Sequence, residues 1–396
     1  MNLNWALVKS LQLRAHGYES FIVAVLVPCI YFSTTLAIVL TALLGLVWLL
    51  STQFLELPKT LIRNPVAASS MLLFLWFILG LSYTSANNNE ALSMLMKYRE
   101  LLFIPVFISF LTTEHYRNWV WKAFFMASVL TLFVSYLMYF GAIDLNNQGD
   151  PCFKNRISHG IFISFFAFYC AHKACNNPGY KKLYLVLLVI CLHNVFFVVP
   201  GRTGQLIFIS LILLFAIQRF TNKQRLLTVV GIALCLTLYM NLSDKANRIS
   251  EGIENTQAYL LPVPEQTESS MGLRYTFWKN SFKLIVEKPF FGHGTGSYSK
   301  EYKRLVDDER VVSKNPHNEF FLIAVQLGLV GLFIYIGFFI CQFYYTNKML
   351  GKDSWLAQGL LTSLMITSMF NSPLMDHNEG HWFATMIALC FAVSSV

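Results

Sequence analysis

Apolar runs, each close to the length needed to cross a bilayer, fill almost the whole of this sequence. About 20 apolar residues in a helix cross the hydrocarbon, where every peptide group must be bonded within its own segment. About twelve such runs can be drawn on that rule, at 18–33, 35–52, 66–84, 99–113, 117–141, 157–173, 181–199, 203–219, 225–242, 318–346, 355–371 and 380–395. Tyr18 to Leu55 can divide in several ways around Pro28, and the fourth run is short enough to be re-entrant. The chain is therefore expected to be an all-α polytopic membrane protein. Its 55% hydrophobic and 13% charged residues agree, since a soluble domain carries about 25% charged residues.

The net charge of +9 does not point to nucleic acid, because no Lys/Arg-rich run with interleaved aromatics occurs. It fits instead the bias of Lys and Arg toward cytoplasmic loops. With the N-terminus inside, the inner loops hold Lys59, Arg63, Arg117, Lys122, Lys173, Lys181, Lys182, Arg219, Lys223, Arg225, Lys348 and Lys352. The short outer loops hold only Lys97, Arg99, Lys154, Arg156 and Arg202. An even number of spans places both termini in the cytoplasm. Residues 1–17, with Trp5, Leu7, Leu11 and Leu13 beside Lys9 and Arg14, read as an amphipathic helix along the inner surface. No small-residue cleavage site follows, so the first span is expected to be an uncleaved anchor. Most of the eight cysteines fall in or beside apolar runs and imply no disulfide framework.

Hydrophobicity stops between Asn241 and His317. This divides the chain into 1–240 with nine spans, a large outer loop at 241–317 and three spans in 318–396. Connections of such length are usually functional. Within the loop, Leu273 to Glu287 is expected to be a helix with Phe277, Trp278, Phe282, Ile285 and Val286 on its apolar face. Pro289 ends it, and Gly292, Gly294 and Gly296 form a tight turn. Asn255 to Ser270 reads as a flexible flap, and Asp307-Asp308-Glu309 as a solvated acidic turn.

Four clusters carry possible chemistry. In Pro200-Gly201-Arg202-Thr203-Gly204, a Pro-Gly break leaves Arg202 at the outer interface. There it is either a headgroup contact or part of an anion site at a helix N-terminus. Arg274 opens the loop helix and is either a solvated charge or a phosphate ligand, a task its fixed charge and forked donors suit. In Asn315-Pro316-His317-Asn318-Glu319, the histidine can take a proton near neutral pH, or the cluster simply caps the next span. Asp376-His377-Asn378-Glu379-Gly380-His381 lacks the His-Glu-x-x-His order, so a carboxylate orienting a histidine, with Asp376 in that role, is preferred over a metal site. His193 is expected to be a packed core residue bonded to a neighbouring helix. Gly292-His293-Gly294-Thr295-Gly296 follows no βαβ pattern, and no Walker A sequence is present.

Together these elements resemble the bacterial O-antigen ligase family, within the larger O-antigen ligase/polymerase superfamily. The resemblance rests on Gly201-Arg202-Thr203-Gly204, on Arg274-x-x-x-Trp278 leading to Pro289-x-x-Gly292-x-Gly294, and on Pro316-His317-Asn318-Glu319 opening an apolar span. It implies glycosyl transfer at the periplasmic face of a bacterial inner membrane, without ATP, metal or cofactor. A polysaccharide on undecaprenyl diphosphate would pass to a hydroxyl of the lipid A–core oligosaccharide. Arg202, Arg274 and His317 would be the essential residues, with Asp376 matching an essential aspartate by position. Arg202 and Arg274 would bind diphosphate, His317 would act as general base, and direct attack would invert the anomeric centre. Arg156, Lys97 and Arg99 would extend the basic surface toward substrate, together with Lys154. The same pattern suits an O-antigen polymerase or a protein O-oligosaccharyltransferase. A lipid-linked sugar flippase or other transporter would be expected to bury its charges near the midplane instead.

Overall fold

The computed structural model describes residues 5–145, 150–260, 270–306, 313–349 and 351–392. The chain is 82% helix, with no strand among the described residues. Before the polar stretch come α1 (Trp5–Phe32), α2 (Thr34–Leu50), α3 (Leu57–Arg63), α4 (Pro65–Gly80), α5 (Asn88–Lys97), α6 (Glu100–Phe110), α7 (Glu114–Tyr139), α8 (Arg156–Asn176), α9 (Lys181–His193), α10 (Arg202–Arg219) and α11 (Asn222–Leu242). Within it lie α12 (Asn247–Leu260), α13 (Ser270–Glu287) and α14 (Tyr298–Leu305), followed by α15 (Glu319–Thr346), α16 (Lys352–Phe370) and α17 (His377–Phe391).

Each of the expected apolar runs coincides with a helix, but length separates them into two kinds. Among the described residues, five helices are long and apolar enough to cross a membrane: α7, α9 with its flanking turns, α10, α11 and α15. A sixth is counted if α2 and the Gln53–Arg63 segment, bent by 80°, form one span. The other apolar helices are shorter or carry more polar side chains. Helix α6 has 11 residues, which at 1.5 Å each fall well short of a bilayer. The N-terminal amphipathic segment is not a separate element, because α1 runs unbroken from Trp5 into the first apolar run.

Helices α8 and α17 form the centre of the bundle, with almost every side chain from Ser158 to Cys170 and from Asn378 to Phe391 buried. Their polar residues therefore meet protein rather than lipid. Helix α17 packs on α6 and α1, and α8 packs on α9, α10 and α16. Small residues set one crossing. A Cβ on Gly160 would come within 2.9 Å of Gly204 Cα, and Ser164 donates to the Gly204 carbonyl at 2.9 Å. This close approach, of the kind small residues permit between membrane helices, holds the start of α10 beside the start of α8.

Side-chain caps fix where several helices begin. Asn155 caps α8 and Asn318 caps α15, each accepting a backbone N–H within the first turn. Asp376 caps α17, accepting from the backbone of Asn378 (2.9 Å) and Glu379 (3.3 Å). These starts lie at the same end of the bundle as the ends of α1, α4 and α11.

The polar stretch is fastened to that end through a break in α15. Gly328 has φ 68° and ψ −170°, which interrupts the helical ladder. The freed carbonyls of Val325 and Gln326 accept from the His293 and Gly294 amides at 2.9 and 2.7 Å. The freed amides of Leu329 and Val330 donate to the Pro289 and Phe290 carbonyls at 2.7 and 3.2 Å. Thr295 and Ser85 complete the seam, bonding Gly80 at the end of α4 (3.1 Å) and His293 (3.0 Å). The peptide groups that the break frees thus find partners inside the protein, as buried backbone requires. Gly328 and Gly294 are required by sterics: both have positive φ, and a Cβ would strike the Phe290 carbonyl or the Thr84 backbone.

Helices α13 and α14 then pack on the first half of α15 through Phe277, Leu284, Tyr298, Tyr302, Leu322 and Val325. The expected apolar face of α13 is only half right. Phe277 is buried and Trp278 and Ile285 pack at the edge, but Phe282 and Val286 are each 61% exposed. The buried line instead runs through Phe277, Asn280, Ser281 and Leu284, because Tyr302 and Tyr298 supply hydroxyls to Asn280 (3.3 Å) and Ser281 (3.2 Å). Of the expected flap, Asn255 to Leu260 belongs to α12, while 261–269 lies outside the described residues, as does 307–312 with the acidic turn. His193 is exposed and bonds Tyr136 at 2.9 Å. Buried histidines stand elsewhere, among them His159, bonded to Asn194 at 2.7 Å.

Candidate active site

Three of the sequence-selected residues share neighbours. Arg202 is the first residue of α10, left there by the extended Gly201. Its guanidinium lies against α12, where a Cβ on Gly252 would approach Nη1 to 3.0 Å. Helix α12 in turn holds α13, with the Thr256 hydroxyl bonded to the Tyr275 hydroxyl at 3.0 Å. Arg274, one residue before Tyr275, is thereby brought close enough to Arg202 for the two charges to interact. Burial, and then the Arg202 charge, lower the pKa of Arg274.

Arg274 also acts on His317. Burial lowers the histidine pKa first, the Arg274 charge lowers it further, and the Asn371 amide opposes. At neutral pH the imidazole is therefore neutral and able to accept a proton. Among the described residues, no carboxylate is a cause of either shift. Two guanidiniums and a neutral imidazole in one partly desolvated place are the groups that binding an anion beside a base would require.

His317 is held in an unusual backbone conformation, with φ 53°. Non-glycine residues adopt this region sparingly and mostly where neighbours dictate it. Its amide donates to Asn315 Oδ1 at 2.9 Å, and the preceding Pro316 carbonyl accepts from Trp278 Nε1 at 3.0 Å. Asn318 bonds both the Phe321 amide and the Met369 carbonyl, each at 3.0 Å. The ring stacks on Phe277 at 6.2 Å, and its buried Nδ1 has no hydrogen-bond partner among the described residues.

The connection from α16 to α17 buttresses this loop. Ser372 donates to Asn315 Oδ1 at 2.8 Å, and the Asn371 carbonyl accepts from the Glu319 amide at 3.1 Å. Two buried carboxylates hold the connection. Glu319 accepts from Tyr98 and from the Leu374 amide. Glu379 accepts from Ser158 and Asn371, both at 3.1 Å. Sequence reasoning passed over Asn315, Asn371, Ser372 and Glu379 as supports of the site. The available signal was Asn371-Ser372-Pro373, a polar break between two apolar runs.

Asp376 is placed elsewhere. Besides capping α17, it lines a cavity of about 530 Å3 with Lys154, His377 and Asn378, and none of Arg202, Arg274 or His317 belongs to that lining. Lys154 donates to Thr34 Oγ1 (2.9 Å) and Asn378 Oδ1 (2.6 Å). Arg156 is ion-paired with Asp150 at 2.9 Å and lies against Gly201, next to the arginine site. Arg99 bonds the Met96 carbonyl at 2.8 Å, and its charge acts on Glu100. Lys97 closes α5 and is half-buried. Glu100 itself meets His381 at 2.6 Å and His377 at 3.4 Å, and Gly380 makes room for its carboxylate.

A second cavity, about 510 Å3 and almost wholly apolar, lies between α10, α11 and the turn after α9. Phe196, Phe208, Ile212, Leu236, Tyr239 and Leu242 are among its walls. It reaches the end of α11, the same end at which α10 presents Arg202.

Residues 184–336 match the family model described as O-Antigen ligase. That stretch contains Arg202, Arg274 and His317 and stops before Asp376. Across 350 residues, 85% of this chain and 80% of the relative, it is 23% identical to an O-antigen ligase of Pseudomonas aeruginosa. It is 25% identical over 192 residues to an O-antigen polymerase of Salmonella muenchen, covering 48% of this chain and 45% of that one. It is also 25% identical over 196 residues to an uncharacterized protein of Haemophilus influenzae, covering 46% and 49%. The chain thus spans about half the length of the latter two relatives.

Proposed function

We propose that this member of the O-antigen ligase/polymerase superfamily is a ligase that transfers a polysaccharide from undecaprenyl diphosphate to a hydroxyl of the lipid A–core oligosaccharide. The observation that carries the reading is the run of interactions from Arg202 to Arg274 to His317, in which burial and then the neighbouring arginine charge lower the pKa of the last two.

Arg202 and Arg274 bind the donor diphosphate and balance the charge that grows on it as the glycosidic bond breaks. Preorganised cations in a partly dry site are worth most at that moment. His317 takes the proton from the acceptor hydroxyl. The hydroxyl oxygen forms a bond to the anomeric carbon on the face opposite the leaving group, so the centre inverts, and undecaprenyl diphosphate departs. The apolar cavity beside α10 suits the polyprenyl chain of such a donor, because it would place the diphosphate at the Arg202 end. Arg156, already paired with Asp150, steers from the rim, as do Lys97 and Arg99. Asp376 acts on the glycan side, away from the base.

The Lys/Arg bias of the short loops supports a site on the periplasmic side of the inner membrane with both termini in the cytoplasm. The match to the Salmonella polymerase supports a second reading, in which the acceptor is another lipid-linked repeat. Complementation decides between them. In a strain lacking its own ligase, wild type should restore the lipopolysaccharide ladder. Arg202→Ala, Arg274→Ala and His317→Ala, at matched membrane expression, should not. Restoration of chain length in a strain that makes only single repeats would establish the polymerase instead, and a ladder surviving all three changes would remove the catalytic assignment.

A further inference from the structure

We infer that the cavity between the start of α2, the loop before α8 and the start of α17 is a saccharide subsite, which holds a pyranose ring of the glycan through Phe32, Phe153, Lys154, Asp376 and Asn378. This deepens the glycosyl-transfer reading and rests on it.

The cavity of about 530 Å3 lies within the range of small-molecule sites, about 300–1,000 Å3. Its apolar wall is aromatic. Phe32 and Phe153 meet edge to face at 5.4 Å and 73°, offering ring surface to the C–H face of a sugar. Its polar wall mixes donors and acceptors. The Lys154 ammonium is held by Thr34 and Asn378. Asn378 is only 7% exposed and lends its Oδ1 to that ammonium, which fixes the amide in the wall. Asp376 uses Oδ1 for the helix cap, so the carboxylate keeps acceptor capacity for a hydroxyl.

The charge balance opposes a phosphate here. Burial lowers the Lys154 pKa to about 8, with the Asp376 charge countering. A dianion would meet that carboxylate and one weakened cation, unlike the paired guanidiniums at Arg202 and Arg274. Neutral vicinal hydroxyls, which both donate and accept, fit the mixed wall. The cavity is also mechanically continuous with the base. The Asp376 amide bonds the Ser372 carbonyl at 3.2 Å, and Ser372 and the His317 amide share Asn315 Oδ1.

Saturation-transfer NMR on the full chain in nanodiscs tests this, with the methyl glycosides of glucose, galactose and N-acetylglucosamine as probes and inorganic phosphate as competitor. At least one glycoside should receive saturation from wild type. Its affinity should fall about fivefold or more in Asn378→Ala and in Phe153→Leu, and phosphate should not displace it. Arg274→Ala should bind the glycoside as wild type does. Phe153→Leu keeps an apolar side chain and decides the matter if Asn378→Ala is poorly folded. No transfer to any glycoside, unchanged affinity in Phe153→Leu, or displacement by phosphate overturns the subsite. The readout is binding, so it separates from the ligase reading. Glycoside binding without ladder restoration would keep the subsite and sink the ligase, and the reverse result would do the opposite.

Discussion

Two cation-bearing centres sit at the same end of the bundle and are built on opposite electrostatic plans. Around Arg274 the neighbouring charge is another arginine, and burial works against it. Around Lys154 the neighbouring charge is Asp376, and hydroxyl and amide oxygens already hold the ammonium. The first centre sets one guanidinium against another in a partly buried place, an arrangement that favours an anion. The second is close to neutral and offers directed hydrogen bonds. Proximity of basic residues in a loop is thus not one property. What faces each cation decides whether it attracts phosphate or reads hydroxyls.

The contrast is sharpest at Arg274. Arg274→Ala should lower transfer about a hundred- to a thousandfold, as removal of a preorganised charge stabiliser does, measured with purified lipid-linked donor. Asp376→Asn, which keeps shape and removes charge, should cost far less, and an equal loss would erase the distinction between the centres. Gly328→Ala attacks the frame of the first centre. It forces a Cβ into the Phe290 carbonyl at positive φ and should destabilise by roughly 2–4 kcal/mol, seen as a lowered melting temperature in detergent.

The pH profile sharpens the contrast further. Burial and Arg274 hold the His317 pKa below the usual histidine value, and the base works unprotonated. Transfer should therefore rise with pH below about 6.5 and be flat above it. A profile still rising at pH 7.5 would mean a raised pKa and another base. The smallest effect is expected at Arg156, whose charge Asp150 already balances. Arg156→Gln should reduce transfer less than about tenfold.

Much of the frame was legible in the sequence because burial in lipid imposes a crude rule that composition obeys. The apolar runs coincide with helices, and Asn318 and Pro289 mark real boundaries. What failed was the assignment of faces. In α13, Phe282 and Val286 have helical spacing with Phe277 but point outward. The tyrosines of α14 make a polar strip, Asn280-Ser281, the better face to bury. A period says that a face exists and not which partner it meets. His193 bonds Tyr136 on a neighbouring helix as expected, yet it stands on an exposed face rather than in the core. The chemistry of the first centre was readable because arginine at a membrane edge is rare and costly. The second was not, since Phe32, Lys154 and Asn378 come from three distant segments and none is unusual where it stands.

The seam between the glycine turn and the broken helix has a consequence for how the molecule tolerates change. Its bonds run from peptide group to peptide group, from Pro289 and Phe290 to Leu329 and Val330, and from His293 and Gly294 to Val325 and Gln326. Every residue except proline carries both partners, so most side chains along it can be exchanged without undoing a single link. Sequence drift can therefore reach this joint only at its glycines or through a new proline, and the outer helices stay docked while the rest of their surface is rewritten.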